Sequence, residues 1–442
     1  TTERVALNDQ GQVAFAATLR ETSGQESDSD GLFRASAADG VTQIVRLADP
    51  APDGNGFFGP RDSDPSGDAL SPPGLDNAGA VSFHSILNGT SGGENVDDNG
   101  VFRLGNATLN QLARAGDPVP GGGDTFGSID RSLASNLAGQ VALQAFLSFG
   151  PQPIRGGPPA DLERIYVTTD TGLDEVVKTG ESMSDGNGIL VGLKDLMIAE
   201  NGDLVFEGMV TGTNDDSDRP HLVWTDGASL EKIARQGQLG PGEIQNPPFE
   251  FGEFTGVDFN AGKRVVFSGR LDRNAAPPGN RTSGIYLWEG NVLTRLVRQG
   301  DPAPDGNGTF GNVAVPVFMN SSGAIVFSAP LEGTANPPSD DFGIFYIDSG
   351  LSVQRIARRG QSLEGSTITS TSFLGDWVGS GGLEGSDIAV AGMNAINDSG
   401  QVAFYAFLAD GRLGAFLWSS GESVFSDSFE SGDTSSWAAS IP

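Results

Sequence analysis

The stretch Asn397-Asp-Ser-Gly400-Gln-Val-Ala403-Phe404 recurs along the chain, and its reading decides the fold. Asn8-Asp-Gln-Gly11-Gln-Val-Ala14-Phe15 repeats it almost letter for letter. Asn136–Leu143 and Asn320–Phe327 are close relatives, and Asp76–Phe83, Ala199–Phe206 and Asn260–Phe267 are poorer copies. An Asn or Asp at the first position caps its own turn, and Gly at the fourth tolerates positive φ. The residues that follow alternate: Val13, Phe15 and Ala17 share one face, and Leu19 continues it. That period of two is a β-strand. Each copy therefore reads as a turn feeding a strand. At Asn260 the glycine slot holds Lys263, with Gly262 one place earlier, which predicts a slightly different turn there.

The fourth positions, 11, 79, 139, 202, 263, 323 and 400, stand 60 to 77 residues apart. Internal periodicity overrides the prior of two or three ordinary domains for 442 residues. Within each unit a first apolar stretch precedes the turn and a second strand follows it. A polar loop then leads to a third strand such as Gly100-Val101-Phe102-Arg103, and a short turn to a fourth such as Leu109–Ala115. The 64 Gly and 25 Pro fall between these segments and read as turns. Seven units of four strands predict an all-β chain, a seven-bladed β-propeller with four-stranded blades of about 60 residues. The blades expected are residues 1–49, 50–116, 117–180, 181–237, 238–300, 301–360 and 361–426, followed by a polar C-terminal tail, 427–442. An open β-solenoid and a six-bladed ring with an odd tail are the alternatives.

The formal net charge is −31, from 57 acidic and 26 basic residues. That balance argues against nucleic acid and anionic membrane surfaces, which need basic patches. No apolar run approaches the ~18 residues of a membrane span. With no cysteine, the chain has neither disulfides nor thiolate sites.

With these repeats in view, the chain resembles the secreted bacterial choice-of-anchor tandem-repeat proteins, named for an NxxGxxAF repeat. The copies at Asn8 and Asn397 match that repeat fully, and the likeness runs along essentially the whole chain. The tail Asp427-Ser-Phe-Glu-Ser-Gly-Asp-Thr-Ser-Ser-Trp437 resembles acidic endings of some secreted bacterial proteins. The resemblance implies an exported location, extracellular or at the cell surface, and brings no catalytic residues with it.

Three sets of residues are candidates for chemistry. The first lies in acid-rich loops between second and third strands: Glu26, Asp28 and Asp30 in one unit, Asp97 and Asp98 in the next, with Asp340-Asp341 in the same place later. Alternating oxygen ligands suit Ca²⁺, which takes six to eight of them. The second set lies between one unit's fourth strand and the next unit's first: Asp53 and Asn55, Asp185 and Asn187, Asp305 and Asn307. These too are candidate Ca²⁺ ligands, and equally plain turn formers. In propeller topology both sets of loops share one face. The third set is a cation in the fourth strand, Arg46, Arg114, Lys178, Arg235, Arg298 and Arg358, expected to pair with carboxylates.

No catalytic residue is assigned. The two histidines, His84 and His221, fall in different units, and no nucleophile-elbow, phosphate-loop or zinc motif occurs. The expected function is a non-enzymatic interaction or structural module, self-assembling or binding a protein through blade edges or the tail. The alternatives are a propeller enzyme of glycoside hydrolase or lyase type and a calcium-dependent lectin-like module.

Overall fold

The structure is a computed structural model, and it describes residues 5–20, 29–61, 63–64, 69–148, 163–214, 219–243, 249–273, 281–373, 395–419 and 425–427. Every regular element among them is a strand. The strands form seven antiparallel sheets, and the order within each follows the chain. These up-and-down sheets are the blade unit of the β-propeller fold class.

Sheet I holds Val5–Leu7, Val13–Thr18, Asp30–Ser36 and Gly40–Arg46. Sheet II holds Val81–Asn88, Asn99–Gly105 and Thr108–Arg114, with Phe57–Phe58 and Gly74–Leu75 both pairing with the first of these. Sheet III holds Phe126–Ser135, Val141–Leu147, Glu163–Thr169 and Gly172–Lys178, and sheet IV holds Ile189–Ile198, Leu204–Thr211, Arg219–Thr225 and Glu231–Arg235. Sheet V holds Phe249–Asn260, Arg264–Arg273, Arg281–Glu289 and Val292–Arg298. Sheet VI holds Thr309–Phe310, Val317–Met319, Ile325–Glu332, Phe342–Ile347 and Val353–Arg358. Sheet VII holds Ser362–Leu363, Ser366–Phe373, Val402–Leu408, Leu413–Trp418 and Phe425–Asp427. The chain divides into two compact units, residues 1–232 and 233–442.

Three sheets have five strands where four were expected. In sheets II and VI the first strand is broken, with Pro60, Pro72 and Pro73 inside one gap and Gly311 and Pro316 inside the other. Proline has no N–H for the ladder, so pairing lapses and resumes. In sheet VII a short hairpin, Ser362–Leu363 with Ser366–Thr367, adds the extra strand.

The repeated corner does two jobs. Its first residue closes the turn: Gln12, Gln140, Ala324 and Gln401 each donate a backbone N–H to the side-chain oxygen of Asn8, Asn136, Asn320 or Asn397, at 2.8–2.9 Å. The amide of the same asparagine then leaves its own sheet. Asn8 Nδ2 donates to the Asp76 carbonyl (2.7 Å), Asn136 to Ala199 (2.8 Å), Asn260 to Asn320 (3.2 Å) and Asn320 to Asn397 (3.0 Å). Each acceptor is the corner of the following sheet. The corner asparagine is thus a staple between successive sheets, and deleting it strands a buried carbonyl at about 1–3 kcal/mol.

Asp76 has no amide to give. There the Asn77 N–H reaches the Leu137 carbonyl instead (2.9 Å), and Arg103 from the third strand donates to the Asp76 carboxylate. The fourth position sits at positive φ in the corners, +79° at Gly79 and +82° at Gly323. A Cβ at Gly323 would also collide with the Arg264 guanidinium. The different turn expected at Lys263 is not found. Lys263 takes the glycine conformation (φ +57°) and makes the same bond to the Asn260 carbonyl, 3.2 Å. The strain falls on a half-buried lysine whose ammonium lies 5.5 Å from the Trp288 ring.

The third strand explains a second repeated signature, glycine followed two residues later by an aromatic. A Cβ on Gly100 would lie 2.7 Å from the Ala113 carbonyl oxygen and 3.2 Å from the Phe102 ring. The ring occupies the space glycine leaves, and the ladder shifts register beside it, between Val101 and Phe102. Phe102 then meets Phe58 edge-on at 4.9 Å, as Tyr286 meets Phe251 (4.9 Å) and Phe345 meets Phe310 (4.8 Å). These buried clusters hold each sheet's first strand against its third.

Candidate functional site

At the end of sheet II opposite the corner, the two families of acidic loop meet around one arginine. Arg114 is 2% exposed. Its Nη1 donates to Asp53 Oδ2 (2.7 Å), its Nη2 to the Asn55 carbonyl (2.7 Å) and its Nε to the Asp97 carbonyl (2.7 Å). Asn55 Nδ2 in turn donates to Asp97 Oδ2 (2.9 Å), and Thr90 donates to the other oxygen of Asp97. Sheet VI repeats the arrangement residue for residue. Arg358 donates to Asp305 Oδ2 (2.7 Å), the Asn307 carbonyl (2.9 Å) and the Asp340 carbonyl (2.7 Å). Asn307 and Thr334 both donate to the Asp340 carboxylate. Burial would raise the Asp305 carboxyl, but the Arg358 guanidinium and the Asn307 N–H hold it below its ordinary value.

The expected calcium ligands therefore distribute as follows. Asp53, Asn55, Asp97, Asp305 and Asn307 surround a guanidinium fork. Asp98 is 1% exposed and receives Arg61 through Nε (2.5 Å) and Nη2 (3.3 Å). Asp185 accepts Lys232 Nζ at 3.2 Å and the Asn187 N–H at 2.9 Å. Asp30 accepts the Thr18 hydroxyl at 2.6 Å. Glu26 and Asp28 lie outside the described residues. Among the described residues no group of three or more His, Asp or Glu side chains is placed to hold a metal ion. Where a carboxylate pair needs a cation here, arginine supplies it. Of the other fourth-strand cations, Arg298 reaches Glu243 Oε1 at 2.7 Å.

A second cluster, which sequence reasoning did not single out, lies on the first strands of sheets III and IV. Each strand carries a β-bulge that interrupts the register, between Ile129 and Leu133 and between Lys194 and Met197. An acid–base dipeptide sits in each bulge, Asp130-Arg131 and Lys194-Asp195. Asp195 has φ +55°, a strained conformation for a residue other than glycine. Lys194 Nζ is 3.4 Å from Asp195 Oδ2, and Arg131 is exposed. Between the strands stands Glu163, whose Oε2 accepts the Leu193 N–H at 2.8 Å. Burial pushes the Glu163 carboxyl up, and the Asp130 charge adds to this.

Glu163 also belongs to a repeated clamp. Asn99 Oδ1 accepts Ile129 N–H (2.9 Å) and Ser283 Oγ accepts Val313 N–H (2.7 Å) at the equivalent places. A neutral acceptor serves there, so the carboxylate at 163 is not required by the fold. In sheets V and VI the corresponding places hold Thr255-Gly256 and Val315-Pro316: the signal was an acid–base pair breaking the alternation of a first strand.

An all-β chain of blade-like sheets, with staples between sheets and one charged bulge cluster, is the class these features define. By sequence the chain belongs to DUF7453, a family of unknown function, whose model matches residues 1–154 and 147–421. No curated protein matches it. Among solved structures it is similar to the β-propeller domain of the Trilobed protease from Pyrococcus furiosus: 13% identity, TM-score 0.39, covering 81% of this chain and 83% of that one. It is also similar to the BP39L lectin from Burkholderia pseudomallei, at 11% identity and TM-score 0.37, covering 96% and 99%. The polysaccharide lyase Uly1 is a third, at 14% identity and TM-score 0.36, covering 80% and 77%. Likenesses of this degree assign no activity.

Proposed function

We propose that the chain is a non-enzymatic interaction module of β-propeller type, acting outside the cell or at a bacterial surface and engaging a protein partner or a second copy of itself. One observation carries the reading. The repeated polar side chains, the corner asparagines and the loop arginines, are spent on joining strand to strand and sheet to sheet. The charges left over from the repeat, Asp130, Arg131, Lys194 and Asp195, gather on two neighbouring bulges. Bulges re-aim side chains and are frequent beside binding sites. Matched acid–base pairs favour a partner that itself carries both signs, as a protein surface does. The exported location rests on the resemblance of the repeats to secreted proteins.

Sedimentation velocity over a range of concentrations tests the self-association, with R131E/K194E as the comparison. Concentration-dependent association weakened by the charge reversal supports the reading, and identical monomers for both proteins reject self-assembly. One feature favours a second reading, an enzyme acting on a polymer: Glu163 holds its proton more tightly than an ordinary carboxyl and stands near Asp130. Cleavage of a uronate polysaccharide probe that is lost in E163Q would establish it, and no turnover in either protein would remove it.

A further inference from the structure

We propose that the seam between sheets II and III is acid-labile, with the His84 imidazole as its trigger. This stands apart from the function proposed above. His84 lies on the second strand of sheet II, is 1% exposed and pairs with Val101 in the ladder. Its ring leans toward the backbone carbonyl of Ile129 on the first strand of sheet III, yet neither ring nitrogen completes a hydrogen bond. In sheets III and V the equivalent residues close the corresponding seams with neutral groups. Gln144 Nε2 donates to the Leu193 carbonyl (2.9 Å), and Ser268 Oγ donates to the Val315 carbonyl (2.6 Å).

The charged groups facing His84 are unfavourable to a proton. Arg131 approaches from the first strand of sheet III and Arg61 from the gap in the first strand of sheet II. The carboxylate in the neighbourhood, Asp98, is already held by Arg61. Burial, then the Arg131 and Arg61 charges, lower the imidazole from 6.5 to about 3. The folded seam thus excludes the proton, while an opened seam accepts it near pH 6.5. The population with this seam open therefore rises on acidification, approaching about tenfold per pH unit below pH 6 and reaching about 50-fold between pH 6.5 and 4.5. Leaving the seam closed would hold a buried imidazolium close to two arginine charges.

Amide hydrogen exchange on the full chain, corrected for the intrinsic pH dependence of exchange, reads this directly. The reporter is the Ile129 N–H, which crosses the seam to Asn99. Its opening constant should rise about 50-fold from pH 6.5 to 4.5, while the Val313 amide, in a seam closed by Ser268 and accepted by the neutral Ser283, does not follow. In H84Q, which copies the glutamine of sheet III, the rise at Ile129 should vanish. An equal rise at both amides, or an unchanged rise in H84Q, overturns the proposal. Should H84Q fail to fold, the comparison of Ile129 with Val313 in the native protein decides alone.

Discussion

Replacing Asn136 by aspartate changes one NH₂ to an oxygen and separates the two jobs of the corner. The turn survives, because the Oδ1 that accepts the Gln140 N–H is retained. The staple does not. Asn136 is 3% exposed, and its Nδ2 donates to the Ala199 carbonyl at 2.8 Å. In N136D a carboxylate oxygen would face that carbonyl, and the Arg103 guanidinium beside Gly139 is already held by Asp76. The native chain makes the same change at Asp76, but supplies Arg103 from the third strand, and the place of Arg103 in sheet III is the apolar Val167. A lost hydrogen bond with a stranded acceptor costs about 1–3 kcal/mol, and an uncompensated buried charge about 3–5 kcal/mol. Partial exposure of the neighbouring Gln140 lets some water in, so a loss of about 3 kcal/mol at pH 7 is expected. The loss should shrink on acidification. Burial raises the folded pKa of the new carboxyl, so its protonated form already predominates at about pH 4 and again donates to Ala199. Denaturant unfolding of wild type and N136D at pH 7 and pH 4 measures both effects. A loss below about 1 kcal/mol at pH 7, or one that grows on acidification, refutes the staple.

Further outcomes follow from the same geometry. Arg114→Ala takes its donors from the Asp53 carboxylate and from the Asn55 and Asp97 carbonyls and should cost about 3 kcal/mol in denaturant unfolding, whereas R114K, with one ammonium in place of a fork, should fall between. Gly100→Ala drives a Cβ into the Ala113 carbonyl and the Phe102 ring and should cost about 1–3 kcal/mol. Gly11→Ala meets no atom within 4 Å, so only its positive φ is penalised, at about 1 kcal/mol. Calorimetry with excess EDTA should leave the unfolding midpoint unchanged, because guanidinium groups already serve Asp53, Asp97 and Asp305; a fall of several degrees would return calcium to these loops. Arg131→Ala should unfold within about 0.5 kcal/mol of wild type, since the side chain is exposed at a bulge.

The corner was legible because it is local. An Asx residue, a left-handed fourth position and alternation after it lie within eight residues, and the strands appear where that pattern places them. The partner of the asparagine amide was not legible, since it lies 60 to 77 residues away and is a backbone carbonyl. Lys263 misled for a related reason: the corner's hydrogen bonds impose positive φ even on a lysine. The loops show the limit of composition. Asp53, Asn55 and Asp97 have the residue types of a calcium site, but the position of Arg114 inside them appears only once the fourth strand is laid beside the loops. A clue was nonetheless present, since the two most similar Asp-Pro-Ala-Pro-Asp-Gly-Asn-Gly loops are the two followed by the buried arginines Arg114 and Arg358. The bulge cluster escaped notice because repeats draw attention to the shared corner, and Asp130, Arg131, Lys194 and Asp195 lie upstream of it, on first strands of irregular register.

Side-chain amide exchange at the corner asparagines tests the central claim most directly. The Nδ2 protons of Asn8, Asn136, Asn260 and Asn320 should exchange far more slowly than those of the exposed Asn110, because each is buried against a carbonyl of the following sheet. Exchange at all five as fast as in a free side chain would mean that the repeated asparagine only shapes its own turn, and that the sheets are joined by other means.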